Sequence, residues 1–252
     1  MLAAEAMIPA TDEGLLRGDG VFEVVRVYDG KPFALEAHLQ RLQRSAANLR
    51  LPLDLESVRA DVAGLLAQGG SGPDHDLLRV VITRGGRRVL LTEPLPATPE
   101  QIRLGTINYA PTRILDGVKS LSYAANMLAT RIARERGFDE ALLVTPHGRV
   151  LEAPTSSIFW VEDSKLFTPP LSDHILASIT RALVIDTAGA SERSCTVDEL
   201  GEADEVFLAS TTREVQPVAQ IDDRLLNGIG TFGMQVAAAV SERVRSELAA
   251  DE

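Results

Sequence analysis

Hydrophobic and polar residues alternate near the start of the chain in the pattern of a β-hairpin that leads into a helix. Residues 21–27 are rich in β-branched side chains, Asp29-Gly30 supplies a turn, and the extended pattern resumes over 32–35. From Glu36 to Arg50 the apolar residues instead recur at steps of three and four. This spacing predicts an amphipathic helix with one buried face.

The rest of the chain mixes short apolar strands with helical stretches. Further helices are predicted at Asp54–Ala67, Ser122–Arg136, Ile179–Ala188 and Thr231–Leu248, with Asp54 and Ser178 as N-caps. Further strands are predicted at Leu77–Thr83, Arg88–Thr92, Ile102–Tyr109, Glu140–Val144, Arg149–Leu151, Ser157–Val161, Leu166–Thr168 and Glu205–Ala209. This mixture predicts an α/β (α+β) fold.

The pattern lapses around Pro111, which makes this stretch the best candidate for a connection between domains. We therefore expect a smaller N-terminal α+β domain over residues 1–110, a linker over 111–117 and a larger C-terminal domain over 118–252.

Composition narrows the classes of function. A hydrophobic fraction of 45% and a charged fraction of 24% are typical of a globular protein. The net charge of −11 disfavours nucleic acid as a partner, because binding to phosphate backbones needs a clustered basic surface. Apolar runs are shorter than the roughly 20 residues of a membrane helix, and Met1–Ala10 does not have the pattern of a leader peptide. We expect an untargeted, cytoplasmic protein that does not bind membranes.

Cysteine and histidine usage predicts no metal site. Cys195 is the single cysteine, so the chain can form no intrachain disulfide and no thiolate cluster. The histidines are scattered without the spacing of metal ligands; they are His38, His75, His147 and His174.

One lysine and one glutamate are candidates for cofactor chemistry. Lys119 lies next to apolar Val118, and burial would favour its neutral, nucleophilic amine. About thirty residues later Glu152 lies between two apolar residues, where an unpaired carboxylate would be costly. Pyridoxal phosphate needs such a pair, because an amine can bond to its aldehyde and an acid can keep its pyridine nitrogen protonated. A salt bridge from Glu152 to a structural arginine is an equal alternative.

A phosphate group could be bound by three other segments. The predicted helix start at Ile179 and Thr180 offers backbone N–H donors, and Arg41 offers a bidentate cation. Ser210, Thr211 and Thr212 follow a predicted strand and offer hydroxyl groups. Taken one at a time, a helix cap, a surface arginine and a strand-end turn explain them as well.

Three arginines surround the Gly85-Gly86 turn. Arg84, Arg87 and Arg88 could meet a substrate carboxylate, although a charged hairpin tip explains them slightly better. The glycine spacing is not that of a nucleotide-binding loop.

Taken in order along the chain, these pieces resemble the class IV aminotransferases, the fold-type IV pyridoxal phosphate enzymes. The family includes branched-chain and D-amino acid aminotransferases, R-selective amine transaminases and aminodeoxychorismate lyases. The matching segments are Arg17-Gly18-Asp19-Gly20-Val21-Phe22-Glu23, His38-Leu39-Gln40-Arg41-Leu42, Lys119-Ser120-Leu121-Ser122-Tyr123, Leu151-Glu152, Phe167-Thr168-Pro169-Pro170, Ile179-Thr180-Arg181 and Ala203-Asp204-Glu205-Val206-Phe207.

The resemblance implies two domains with pyridoxal 5′-phosphate between them, and a homodimer. It implies that Lys119 bonds to the cofactor and shuttles a proton, and that Glu152 pairs with the ring nitrogen. The implied phosphate-binding residues are Arg41, Ile179, Thr180, Ser210 and Thr211, and Tyr123 falls where some members contact the ring hydroxyl. The residues that the resemblance implies for the substrate are Phe22, Arg26, Arg84, Arg87 and Thr212.

The implied activity is transfer of an amino group from an amino acid or an R-amine to a 2-keto acid. Residues 24–28 and 210–214 are closest to D-amino acid aminotransferases, but Phe22 replaces a tyrosine that is common in those enzymes. R-amine or branched-chain substrates therefore stay open. The alternatives are an aminodeoxychorismate lyase that releases pyruvate and 4-aminobenzoate, and a non-catalytic protein that only binds the cofactor.

Overall fold

The chain forms two compact units in the computed structural model, which describes residues 5–68, 75–228 and 230–250. Unit 1 comprises Met1–Pro96 and Gly117–Tyr123, and unit 2 comprises Ala97–Asp116 and Ala124–Glu252. Both units combine helices with a sheet, which confirms the predicted fold class.

Unit 1 is a four-stranded antiparallel sheet with helices packed on one face. Its strands are β1 (Gly20–Tyr28), β2 (Lys31–Pro32), β3 (Leu77–Thr83) and β4 (Arg88–Glu93), in the order β2-β1-β3-β4. Its helices are α1 (Glu13–Arg17), α2 (Leu35–Asn48) and α3 (Leu55–Gln68). Asp54 caps α3 as predicted, since its carboxylate accepts a hydrogen bond from the backbone N–H of Ser57 at 3.2 Å.

The core of unit 1 lies between α2 and one face of β1. Alternate residues of β1, among them Val21 and Val25, are fully buried against Leu39 and Leu42 of α2. Each such side chain stabilises the fold by about 1.5–3 kcal/mol. The pairing fixes which β1 residues face away from α2, namely Phe22, Val24 and Arg26.

Two glycines of the Arg17–Glu23 segment are required by the local geometry of unit 1. Gly18 ends α1 with a φ of 67°, in the left-handed region that favours glycine. At Gly20 a β-carbon would overlap the backbone oxygen of Ile82 on β3. Larger residues at these two positions would disturb the entry into β1.

The chain returns to unit 1 after its first passage into unit 2. The backbone N–H of Phe22 donates to the carbonyl of Lys119 at 3.1 Å, and the N–H of Leu121 donates to the carbonyl of Gly20 at 2.9 Å. Residues 119–121 thus line the edge of β1. The division therefore differs from the predicted bounds, because residues 97–116 belong to unit 2 and residues 117–123 to unit 1.

Unit 2 contains a mixed eight-stranded sheet in the order β6-β5-β11-β10-β7-β8-β9, with β12 paired to β11. The strands are β5 (Ile102–Asn108), β6 (Glu140–Val144), β7 (Ser157–Glu162), β8 (Lys165–Thr168), β9 (Ser191–Glu192), β10 (Glu205–Ser210), β11 (Glu214–Ile221) and β12 (Arg224–Leu225). The helices are α4 (Ala124–Glu135), α5 (Ile179–Ala188), α6 (Val197–Gly201) and α7 (Thr231–Ala250).

Apolar clusters cover both faces of this sheet. On one face α5 and α7 pack against Phe159 and Phe207, whose rings stack 5.4 Å apart. On the other face Trp160 and Leu208 join a cluster that includes the buried Cys195. Strands buried on both faces agree with the nearly continuous apolar runs in the sequence.

The structure differs from the predicted elements at a few places. β11 was not predicted, because Pro217 lies inside it and proline argues against a central strand. Residues 149–151 were predicted as a strand but form only isolated bridges, Val144 with Val150 and Arg149 with Thr196. The short helices α1 and α6 were also not predicted.

Candidate active site

Lys119 has its backbone fixed from two sides within unit 1. Its N–H donates to Oγ of the buried Ser45 on α2 at 3.1 Å, and its carbonyl accepts from Phe22 of β1. A single residue is thereby tied both to a helix and to a strand. Such a fixed backbone is what a reactive side chain needs to be aimed reproducibly.

The amine of Lys119 lies among aromatic rings. Its Nζ is 4.4 Å from the ring centre of Phe22 and 5.9 Å from that of Tyr123. The two rings meet edge to face, with centres 5.4 Å apart. Lys119 is half-buried, whereas Lys165, one of the chain's two other lysines, is exposed on β8.

Arg41 is held by an acidic residue that was not among the predicted site residues. Its Nε donates to Oε1 of Glu23 at 2.7 Å and its Nη2 donates to Oε2 at 2.6 Å. Burial alone would raise the pKa of Glu23, but the hydrogen bonds from Arg41 and then His38 outweigh it and lower the pKa to about 2. Glu23 is therefore ionised and neutralises Arg41.

His38 completes this buried group. Its Nδ1 lies 2.8 Å from Oε2 of Glu23, and its side chain is 2% exposed. Burial, followed by the charges of Arg41 and Lys119, outweighs the attraction of Glu23 and lowers the pKa of His38. A neutral His38 beside an ionised Glu23 donates through Nδ1–H, which assigns its tautomer.

Two arginines share the sheet face of Phe22. In the register of β1 with β3, Val24 lies opposite Arg79, which places Arg79 on this face. The guanidinium of Arg79 lies 5.9 Å from the ring centre of Phe22 and forms an ion pair with Glu93 at 2.8 Å. Arg26 stacks over Tyr28 at 5.0 Å, and its buried Nε has no hydrogen-bond partner within the described part of the chain.

The arginines around the Gly85-Gly86 turn are spread apart. Arg84 donates to Asp19 at 3.0 Å and to the carbonyls of Leu49 and Arg50 at 2.8 and 2.7 Å. Arg88 pairs with an aspartate of α3, and Arg87 is exposed. The structure gives Arg84 a structural role, and a part in substrate binding stays a prediction for Arg84 and Arg87.

Glu152 belongs to an irregular loop of unit 2. Its Oε1 accepts a hydrogen bond from the backbone N–H of Leu176 at 3.1 Å. The side chain of Asn126 donates to the carbonyl of Pro154 at 3.1 Å and so fixes the same loop. Partial burial and then the nearby charge of Glu152 raise the pKa of Tyr109, so this carboxylate lies close to the phenol within unit 2.

The first turn of α5 is arranged as an anion site. Ser178 is its N-cap, as predicted, and its Oγ accepts from the N–H of Arg181 at 3.2 Å. The N–H groups of Ile179 and Thr180 lie in this turn, where a helix supplies no internal partner. The Arg181 side chain donates to Pro169 and Glu192, and its buried Nε has no partner among the described residues.

Side-chain hydroxyl groups lie at the end of β10 and at the start of β7 in unit 2. Oγ of Ser210, at the end of β10, lies 3.3 Å from Oγ1 of Thr212. The buried hydroxyls of Ser156 and Ser157 have no hydrogen-bond partner within the described residues. Such groups are suited to an additional ligand, because a buried hydroxyl without a partner is costly.

A buried ion pair connects these two hydroxyl-bearing segments. Glu140 pairs with Arg213, which follows Thr212, and also accepts from Thr155 at 3.2 Å. Arg213 in turn donates to Gln216 at 3.1 Å. The pairing of Glu140 with Arg213 could not be inferred from the sequence, because these two residues lie far apart along the chain and meet only in the folded unit.

The residues present fit pyridoxal phosphate in each unit taken by itself. Unit 1 offers a fixed lysine amine beside aromatic rings and an arginine neutralised by a buried acid. Unit 2 offers the carboxylate of Glu152, a helix start and two buried hydroxyls that have no partner among the described residues. Within the described residues no group of three or more His, Cys, Asp or Glu could hold a metal ion, and no helix is long and apolar enough to span a membrane.

The chain is similar to known aminotransferases. Residues 20–221 match the family profile "Amino-transferase class IV". The chain is 35% identical over 248 residues to a putative branched-chain-amino-acid aminotransferase of Methanocaldococcus jannaschii, a match that covers 88% of this chain and 85% of that protein. It is 32% identical over 246 residues to a D-alanine aminotransferase of Listeria innocua, which covers 86% and 83%.

Solved structures share the fold. A fold IV-transaminase from Curtobacterium pusillum matches with a TM-score of 0.86 at 33% identity, covering 98% of this chain and 92% of that chain. A 4-amino-4-deoxychorismate lyase from Pseudomonas aeruginosa matches with a TM-score of 0.79 at 28% identity, covering 96% of each chain. The predicted fold-type IV class is thereby confirmed.

Proposed function

Because the chain belongs to the class IV aminotransferases, which are pyridoxal 5′-phosphate-dependent transaminases, we propose that Lys119, Glu152 and the start of α5 hold this cofactor. The family membership also confirms the predicted enzyme class and cofactor. The observation that carries the proposed site is the position of Lys119. Its backbone is fixed by Ser45 and Phe22, and its amine lies 4.4 Å from the ring centre of Phe22.

The roles follow from charge and geometry. When bound, the cofactor supplies an electron-poor ring that draws electrons from the substrate carbon. The amine of Lys119 bonds to the cofactor and moves a proton at the α-carbon of the substrate. Glu152 would pair with the ring nitrogen and keep it protonated, and the N–H of Leu176 orients that carboxylate.

The phosphate has donors of three kinds. The N–H groups of Ile179 and Thr180 at the start of α5 supply backbone hydrogen bonds, Ser210 and Thr211 supply hydroxyls, and Arg41 supplies a cation. Tyr123, beside the amine of Lys119, supplies a hydroxyl for the ring oxygen.

Substrate carboxylates are recognised by arginines on the Lys119 side of the unit 1 sheet. Arg26 presents a guanidinium there whose buried Nε has no hydrogen-bond partner within the described residues, whereas the guanidinium of Arg79 is already paired with Glu93. A guanidinium matches a carboxylate with two parallel hydrogen bonds. Phe22 supplies an apolar wall, and Thr212 and Arg87 are further candidates. A cationic surface next to the amine suits amino acids and 2-keto acids.

The preferred donor is an amino acid of the D- or branched-chain type, or an R-amine. The relatives named above support the first two, since they are a branched-chain and a D-alanine aminotransferase. The likeness to a 4-amino-4-deoxychorismate lyase keeps that reaction as the second candidate. The enzyme acts as a cytoplasmic homodimer. Light scattering of the protein as it elutes from a size-exclusion column measures its molar mass and so tests the dimer.

Borohydride reduction of the holoenzyme tests the lysine. The chain has three lysines, Lys31, Lys119 and Lys165. The cofactor should become covalently fixed to Lys119, and Lys31 and Lys165 should stay unlabelled in the same peptide map. A Lys119→Ala variant should lose nitrogen transfer. Label on another lysine, or turnover by that variant, would overturn the assignment.

A donor panel tests the reaction. The holoenzyme is first mixed with each L-amino acid, D-amino acid or R-amine alone, and the loss of its visible absorbance is followed. 2-Oxoglutarate is then added, and the transfer of nitrogen to it is measured. Transfer of nitrogen supports the transaminase with the donor class that reacts fastest. Release of pyruvate and 4-aminobenzoate from aminodeoxychorismate, without nitrogen transfer, would instead support the lyase.

A further inference from the structure

Phe22 contacts Lys119 at both ends of the lysine. Its backbone N–H donates to the carbonyl of Lys119 at 3.1 Å, and its ring centre lies 4.4 Å from Nζ. Phe22 is 7% exposed, so its ring is enclosed by neighbouring atoms, and the pairing of β1 with β3 fixes its backbone opposite Val81. One residue therefore fixes both the main chain and the reactive end of this side chain.

The ring favours the charged form of the amine. The face of an aromatic ring is electrically negative, so it attracts an ammonium ion within about 6 Å and does little for a neutral amine. The guanidinium of Arg79 lies 5.9 Å from the same ring. Because Glu93 neutralises Arg79, the ring can hold the lysine without a large repulsion between the two cations.

We propose that Phe22 is a positioning residue for Lys119, whose ring holds the protonated amine in place while the lysine carries no cofactor. The consequence for catalysis rests on the proposed role of Lys119. The contact itself is a property of the apoprotein and can be measured there. A tyrosine at this position keeps the ring, whereas a leucine keeps apolar bulk and the backbone hydrogen bond but removes the ring.

Trace acetylation of the apoprotein tests this contact. Wild type, Phe22→Leu and Phe22→Tyr are treated with a trace of acetic anhydride, and acetylation of each lysine is measured by peptide mass spectrometry. At pH 8 Lys119 should react at least about two- to fivefold faster in Phe22→Leu, as expected when a half-buried lysine loses one cation–π contact. Phe22→Tyr should react like the wild type.

The pH profile separates this effect from simple shielding by the ring. Shielding changes the rate by the same factor at every pH, whereas a held ammonium ion loses its advantage above about pH 11, where a lysine is mostly neutral. The ratio of the Phe22→Leu rate to the wild-type rate should therefore approach one at high pH. The titratable or charged side chains near this amine include Tyr123, His38, Arg41 and Arg79 among the described residues of unit 1. Glu23 pairs with His38 and Arg41, Glu93 pairs with Arg79, and all of these side chains are kept in the variants.

Two other lysines in each sample and one further variant of unit 1 serve as controls for this measurement. Lys31 and Lys165 should react equally in all variants. Phe33→Leu removes another ring of unit 1, one that contacts Tyr28, and should leave Lys119 unchanged. Equal rates for wild type and Phe22→Leu at pH 8, a ratio that persists at pH 11, or a Phe22→Tyr variant that behaves like Phe22→Leu would each overturn the proposal. Borohydride mapping of the holoenzyme tests the role of Lys119 separately, so failure of one is distinguishable from failure of the other.

Discussion

The carboxylate of Glu23 and the guanidinium of Arg41 form a two-point ion pair in the interior of unit 1. Their hydrogen bonds measure 2.7 and 2.6 Å, and the two residues are 0% and 4% exposed. A buried pair of this kind costs desolvation energy when it forms, but removing one partner leaves an uncompensated charge in the core. Glu23 therefore maintains the charge balance around an arginine that is proposed to bind phosphate.

Replacing Glu23 by glutamine should destabilise the protein strongly. The shape is kept, but the charge of Arg41 loses its counterion, and we expect the free energy of unfolding to fall by about 3 kcal/mol. Urea unfolding of the apoprotein measures this change. A matched control is Glu36→Gln, which breaks the exposed pair with Arg59 and should cost less than about 1 kcal/mol. A Glu23→Gln loss no larger than that of the control would contradict the prediction.

Acid should destabilise unit 1 in two steps. The pKa of His38 is lowered from 6.5, so the unfolded chain takes up a proton below pH 6.5 that the folded chain does not, and stability falls as the pH falls. The pKa of Glu23 is lowered from 4.5 to about 2, so its contribution is complete above pH 5 and is lost as the pH falls toward 2. One proton changes the unfolding free energy by up to about 1.4 kcal/mol per pH unit.

Urea unfolding at pH 7, 5.5 and 4 checks the first step. His38→Gln keeps a donor for Glu23 but does not titrate, so its stability should change less between pH 7 and pH 5.5 than that of the wild type. His75→Gln is the control, since this histidine lies elsewhere and bonds to Thr92. An unchanged slope in His38→Gln would show that His38 is not buried in its neutral form.

Local sequence signals predicted the elements that are set by local chemistry. Ser178 caps α5 from Ile179 to Ala188, and β3 spans Leu77–Thr83, both as the pattern predicted. β11 was not predicted because it contains Pro217. A proline has no backbone N–H, so a strand can contain it only where no hydrogen bond from that position is needed. In the structure Pro217 lies opposite Phe207 on one side, and the register with β5 shifts just beyond it.

The site residues could be predicted only in part, because several of them are brought together by contacts between distant segments of the chain. Lys119 and Glu152 were identified by their apolar neighbours, a signal that is visible along the chain. Arg79 depends on the register between β1 and β3, and the partnership of Glu23 with His38 depends on how α2 packs on β1. Contacts of this kind are determined by tertiary packing, which leaves no local mark in a single sequence.

The thiol of Cys195 should be inert in the folded protein. Burial and, next, the charge of Glu199 raise the pKa of this thiol to about 12, and the residue is 3% exposed. At pH 8 the native protein should not react with Ellman's reagent over minutes, whereas the urea-unfolded chain should release one equivalent at once. Because Cys195 is the only cysteine, the signal has a single source. Rapid reaction of the native protein would show that this part of unit 2 opens readily.

The charge of Glu152 should be visible through Tyr109 before any cofactor is bound. Partial burial and then Glu152 raise the pKa of Tyr109, so Glu152→Gln removes the second cause and should shift the ionisation of this phenol to lower pH. Absorbance of the apoprotein at high pH measures the change, and Tyr109→Phe identifies which of the three tyrosines is responsible. Glu162→Gln, an exposed carboxylate that pairs with Arg193, should leave the titration unchanged. If Glu152→Gln also leaves it unchanged, the carboxylate does not lie close enough to Tyr109 to act on its ionisation, and the placement of Glu152 on which its proposed role rests would be contradicted.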